Sequence, residues 1–122
     1  MLKKLALLLC AALLVAAAFA LYRRGRPMDA AEAVRRLGGM RVAVTFYKLS
    51  KGSAPADLRE LLAGGQLEAP PELKLKWHRA SSEVRSAPAL RAEDTGGWGY
   101  VNDPKSRDFG TIFIDCAHKD EK

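Results

Sequence analysis

The sequence predicts an α+β protein in which an N-terminal membrane helix continues into an amphipathic helix packed on a small antiparallel sheet. Three observations predict it. Leu5–Leu21 is an uncharged run of mostly Leu and Ala. Behind it, apolar residues recur at spacings of three and four from Ala30 to Tyr47, the period of one helix face. Past Gly65 the chain breaks into short apolar runs bounded by Gly, Pro, Asn and Asp, as strands and their turns do.

The apolar run comes first. At about 1.5 Å per residue it only just crosses a hydrocarbon core of roughly 30 Å. Lys3 and Lys4 precede it, and Arg23, Arg24 and Arg26 follow at once, a cluster that resists transfer through a membrane. Ala18–Ala20, "AFA", has the small-x-small form of an export cleavage site. Residues 1–26 therefore form a membrane anchor held through residues 5–22, or a signal segment, and residues 27–122 an extracytoplasmic domain. The anchor reading places that domain in the periplasm or outside the cell, and the alternative is a secreted product.

The formal charge of +6 resides in the anchor. Of 20 Lys and Arg, five precede Pro27 and none of the 14 acids does, which leaves 15 against 14 and a net +1 for the domain. Nucleic-acid binding needs clustered positive charge, so no nucleic-acid partner is expected. Cys10 lies in the apolar run and Cys116 near the other end, so no disulfide framework is expected.

Asp29, with Glu32 three positions on, reads as an acidic capping box opening a helix that runs to about Ser50. Its stripe is Ala30, Ala33, Leu37, Met40, Val44 and Tyr47, and Leu37, Met40, Val44 and Tyr47 are the face expected to meet other subunits. Gly38 and Gly39 weaken it by about 1 kcal/mol each relative to Ala, and mark either a close backbone approach or a bend. "PADLRELLAGG" is a second, short helix with Pro55 in its first turn, Leu58, Leu61 and Leu62 on its apolar face, and Gly64 or Gly65 at its end. "EAPPE" is a rigid connector. "LKLKW", Leu73–Trp77, alternates as a half-buried strand does. Arg79–Glu93 is polar and interrupted by Pro88, and reads as a loop. "GWGYV" is a strand, "NDPKSRD" a turn and "GTIFIDC" a strand.

Trp98 and Tyr100, set among Gly96, Gly97 and Gly99, are either an exposed aromatic face or a structural hairpin. Their shared strand face favours the hairpin. Cys116 and His118 are two apart and can share a strand face as zinc ligands, with His78 as a third. Spacing alone favours an incidental pair near a chain end. No Ser-His-Asp order with a glycine elbow, no His-Glu-x-x-His and no phosphate loop occurs, so neither an enzyme nor a small-molecule substrate is expected.

"MRVAVTFYKLSKGSAPADLRELLAGG", "EAPPELK" and "DTGGWGYVNDPKSRDFGTIFID" resemble, in that order, the helix exit, connector and Gly-Gly-Trp-x-Tyr hairpin of type IV pilin-like proteins. The closest likeness is to the major pseudopilin of type II secretion systems, over roughly residues 28–116. The resemblance implies a structural subunit of a pilus-like or pseudopilus assembly, with like subunits or other secretion components as partners. The family's signature of a leader ending in Gly, with a Glu five residues into the mature chain, is not matched: "MLKK" opens the chain, and no Glu precedes Glu32. The related pseudopilins hold calcium in a C-terminal loop, so calcium is the cofactor the resemblance implies. Asp94, Asn102, Asp103 and Asp108, with Asp115, are its oxygen donors here. No spacing matches an EF-hand, and Asp and Asn are ordinary turn residues, the reading that spacing favours for them. The alternative function is a secreted or anchored monomeric binding module, stabilised by that ion.

Overall fold

The computed structural model describes residues 1–118, so residues 119–122 of the expected domain lie outside the described residues. Its elements are α1 (Leu2–Gly25), α2 (Ala30–Lys51), α3 (Arg59–Ala63), β1 (Val84–Ala87), β2 (Trp98–Val101) and β3 (Ile112–Ile114). The protein is mixed α+β, with one apolar N-terminal helix long enough to cross a membrane and a small mixed sheet.

The two long helices are separate, where one continuous helix was expected. Proline disfavours helical backbone in the residue before it, and Arg26, ahead of Pro27, is extended at φ −72°, ψ 135°. α1 buries none of its residues and packs on no other element. α2 starts afresh at Asp29, whose Oδ1 accepts from the Ala31 backbone N–H at 3.4 Å. Glu32 does not complete the capping box. It pairs instead with Arg35 at 2.6 Å and Arg36 at 2.9 Å, because guanidinium groups one turn on compete for its carboxylate. The helix passes straight through Gly38 and Gly39, and a side chain added at either would meet nothing within 4 Å. It ends on Gly52 at φ 84°, whose N–H donates to Lys48 O at 2.8 Å.

The sheet has the order β1-β2-β3, and it is not wholly antiparallel. β2 and β3 are antiparallel, whereas β1 runs parallel to β2. β1 lies inside the segment expected to be loop. Its residues, Val84, Arg85, Ser86 and Ala87, lack an apolar alternation, and their pairing to the free edge of β2 makes them a strand. "LKLKW" in turn gives only an isolated bridge between Leu73 and Ser81. Beyond it Trp77 turns left-handed, φ 71°, and points its ring to solvent at 75% exposure, so the inward alternation stops there.

Met40, Ala43 and Val44 of α2 pack with Leu58, Leu61, Leu73, Trp98, Tyr100 and Ile112 as the core, and Leu37 and Tyr47 pack against its rim. The stripe expected to meet other subunits therefore faces the protein's own sheet. The hairpin residues Trp98 and Tyr100 are fully buried. Trp98 Nε1 donates to Pro71 O at 2.8 Å, and the Tyr100 hydroxyl donates to Pro55 O, so both rings tie the sheet to the proline-containing connectors. Of the expected apolar face of α3, Leu58 and Leu61 are buried, while Leu62 is exposed. Tyr47 donates to Glu60 Oε2 at 2.5 Å, joining α2 to α3.

Candidate metal centre

Three chain segments converge at one end of the sheet. The first is the loop closed by reciprocal hydrogen bonds between Leu73 and Ser81, Leu73 N to Ser81 O at 2.8 Å and Ser81 N to Leu73 O at 2.9 Å. It carries His78, whose backbone N–H donates to Leu75 O at 3.2 Å and whose side chain is 9% exposed. The second is the approach to β2, where Asp94 is left-handed at φ 66° and Gly96 follows at φ 77°. A Cβ on Gly96 would sit 2.6 Å from His78 Cβ and Cγ, so glycine there both supplies the turn and admits the imidazole. The third is the exit of β3, where Asp115, Cys116, Ala117 and His118 follow one another.

Cys116 and His118 share parity with Ile112 and Ile114, the strand residues that face α2. Both also line the groove of about 780 Å³ formed with Met28, Ala33, Leu75 and Trp77. Ala117 N donates to Asp94 Oδ1 at 2.9 Å, which clamps the exit of β3 to the Asp94 turn. The outcome is one group of four donors, His78, Asp94, Cys116 and His118, with all ligand atoms within 4.8 Å of one another. His78 Nε2 is 3.0 Å and His118 Nδ1 3.2 Å from Asp94 Oδ1, and Cys116 Sγ is 3.7 Å from His118 Nδ1. The Ala117 amide, followed by attraction to the two imidazoles, holds the Asp94 carboxyl below its ordinary range against partial burial. His78 Nε2 is buried, and despite its nearness to Asp94 it makes no aligned hydrogen bond.

The residues expected as calcium donors are distributed differently. Asn102 N donates to Ala87 O at 3.1 Å, extending the pairing of β1 with β2, while Asp103 and Asp108 shape the β2–β3 turn: Asp103 Oδ1 accepts from Lys105 N at 2.9 Å, and Asp108 O accepts from Thr111 N at 3.0 Å. Among the described residues Asp94 forms no group with Asp103 and Asp108. Asp115, also expected as an oxygen donor, is fully buried and taken up by Arg85, Thr95 and the Glu93 amide. Burial pushes its carboxyl up. The hydrogen bonds from Arg85, from Thr95 and from the amides of Glu93 and Thr95 outweigh that and hold it well below the usual carboxylate range.

The Cys-x-His spacing was visible in the sequence, and so was His78 as a third donor. Asp94 was visible only as one of several acids near turns. What assigns it here is its left-handed backbone, a property of the folded chain. No protein-family model matches the chain, and neither a curated protein nor a solved structure matches it.

Proposed function

We propose that the protein is a membrane-tethered structural subunit of a pilin-like assembly, of the type IV pilus or type II secretion kind, joined to copies of itself or to companion subunits through α2. The observation that carries this reading is that α2 has two apolar stripes. At about 100° per residue, Ala33, Leu37, Met40 and Val44 lie on the side facing the sheet, while Val42, Phe46 and Leu49 gather on the opposite side, with Val34 on the flank between them. The second set is 53–77% exposed. A helix lying between a sheet and a neighbouring subunit needs an apolar outer face of this kind. Gly38 lies at the edge of that outer stripe with open space above it, where a second backbone can approach closely.

A photo-crosslinking residue at Phe46 in native membranes tests the reading. Adducts with a second copy or a companion subunit are expected at Phe46 and none at the inward-facing Met40. A protein recovered only as a soluble monomer beginning at Leu21 would sink it. That outcome belongs to the second reading, a released or anchored monomeric binding module. One observation favours it, since among the described residues α1 packs on no other helix or strand.

A further inference from the structure

We propose that His78, Asp94, Cys116 and His118 bind one divalent transition-metal ion, zinc by the chemistry of the donors, and that this ion fastens the exit of β3 to the two loops beside it. The proposal stands apart from the assembly reading and does not depend on where α1 resides.

The donor set selects the metal. Two imidazoles, a thiolate and a carboxylate mix nitrogen, sulfur and oxygen in the way zinc accepts. Calcium and magnesium prefer all-oxygen shells and gain little from a thiolate. The separations agree with a shared ion. Bonds of roughly 2.3 Å to sulfur and 2.0–2.2 Å to nitrogen or oxygen at tetrahedral angles place neighbouring ligand atoms about 3.3–3.6 Å apart. Three of the separations, 3.0, 3.2 and 3.7 Å, bracket that interval, and all the ligand atoms lie within 4.8 Å of one another, so closing around an ion takes shifts of up to about an ångström. Four protein donors complete a tetrahedron, the closed arrangement of a structural site.

A second observation points to a ligand directly. The imidazole of His78 is more than nine-tenths buried, yet its Nε2 makes no aligned hydrogen bond. Its near neighbour Asp94 Oδ1, 3.0 Å away, makes no aligned hydrogen bond with it, and an ion held between the two would give this buried nitrogen a bonded partner. The outer contacts are those that orient metal ligands, with the Ala117 amide holding the Asp94 carboxylate and Gly96 admitting the His78 ring. On binding, the ion replaces the Cys116 thiol proton, which passes to solvent, and no oxidation or reduction is involved.

The test uses the full chain in detergent, stripped with a chelator and reloaded with zinc chloride. Elemental analysis after dialysis is expected to find one zinc per chain. Cobalt substitution is expected to give the visible bands of a tetrahedral site and a near-ultraviolet thiolate-to-cobalt band that Cys116→Ser abolishes. His78→Ala should weaken zinc by more than the roughly 10–100-fold that loss of an outer contact costs. A measurement without any change to the four donors guards against misfolded variants. In the Cys10→Ser chain, Cys116 is the single thiol, and zinc should slow its reaction with a thiol reagent until chelator is added. Zinc retained equally by wild type and Cys116→Ser, thiol reactivity indifferent to zinc, or calcium retained in its place would each overturn the proposal.

Discussion

Arg85 and Asp115 meet in a two-pronged ion pair that links β1 to the end of β3 past the central strand. Arg85 Nε is 3.1 Å from Asp115 Oδ2, and Nη2 is 3.2 Å from Oδ1. Removing Arg85 leaves the fully buried Asp115 carboxylate without its counter-charge, so Arg85→Ala should destabilise the fold by about 3–5 kcal/mol, whereas Asp115→Ala leaves Arg85 with Glu93 at 3.5 Å and should cost less. Replacing both with leucine should cost less than Arg85→Ala alone, because no stranded charge remains. Urea unfolding of the three variants measures this, and strict additivity would count against the pair.

Gly99 stands between Arg85 and Phe113 in the sheet register, and the Phe113 ring lies across it. A Cβ there would come within 2.2 Å of Phe113 Cζ. Gly99→Ala should therefore cost about 1–3 kcal/mol, the range of an overpacked site. Adding Phe113→Leu should recover most of that in thermal melts, whereas Phe113→Leu combined with an unrelated destabilising change should not.

Two tyrosines link stability to alkaline pH. Burial, then the nearby charges of Glu60, Tyr47 and Asp57, raise the Tyr100 hydroxyl above its ordinary value, and the hydrogen bond to Glu60 raises Tyr47. The folded state thus holds these protons more tightly than the unfolded one. Their stabilisation is complete below the unfolded value near pH ~10 and is lost as pH rises through the folded values. Tyr100→Phe should lower stability at pH 7 by leaving Pro55 O without its donor, and should flatten the alkaline decline. Unfolding measured from pH 8 to 11.5 follows both.

Gly38→Ala separates the demands of the chain from those of its neighbours. Among the described residues nothing comes within 4 Å of a Cβ placed at Gly38, so alanine should stabilise the detergent-extracted monomer by roughly 0.5–1 kcal/mol. In membranes the same change should reduce crosslinking from Phe46. A stabilised monomer with undiminished crosslinking would remove Gly38 from the contact.

The legible elements were those whose periodicity is written in their own side chains. α2 followed from its stripe and Asp29, and β2 and β3 from "GWGYV" and "GTIFI". The parallel strand was not legible, because Arg85 and Ser86 become strand only by pairing with Gly99 and Tyr100. Trp77 misled for a related reason: alternation predicts an inward ring, and a left-handed backbone at that residue turns it out. At the candidate centre Cys116, His118 and His78 could be named from sequence. Their meeting with Asp94 could not, since it depends on the Gly96 turn and on where the sheet ends.

The break at Arg26–Pro27 has a mechanical consequence. A continuous rod would make the tilt of the anchor dictate the pose of the head, with torque carried through every turn of the helix. Here α1 and α2 share no helical hydrogen bonds across the joint, and the entry of α2 is fastened to the head by the bond from Met28 N to Lys74 O at 2.8 Å, together with the packing of Met28 on the core. With α1 in a bilayer, pulling on the anchor would load that bond before it loads the sheet. Such a joint would pass tension to the head without the torque that a continuous helix carries.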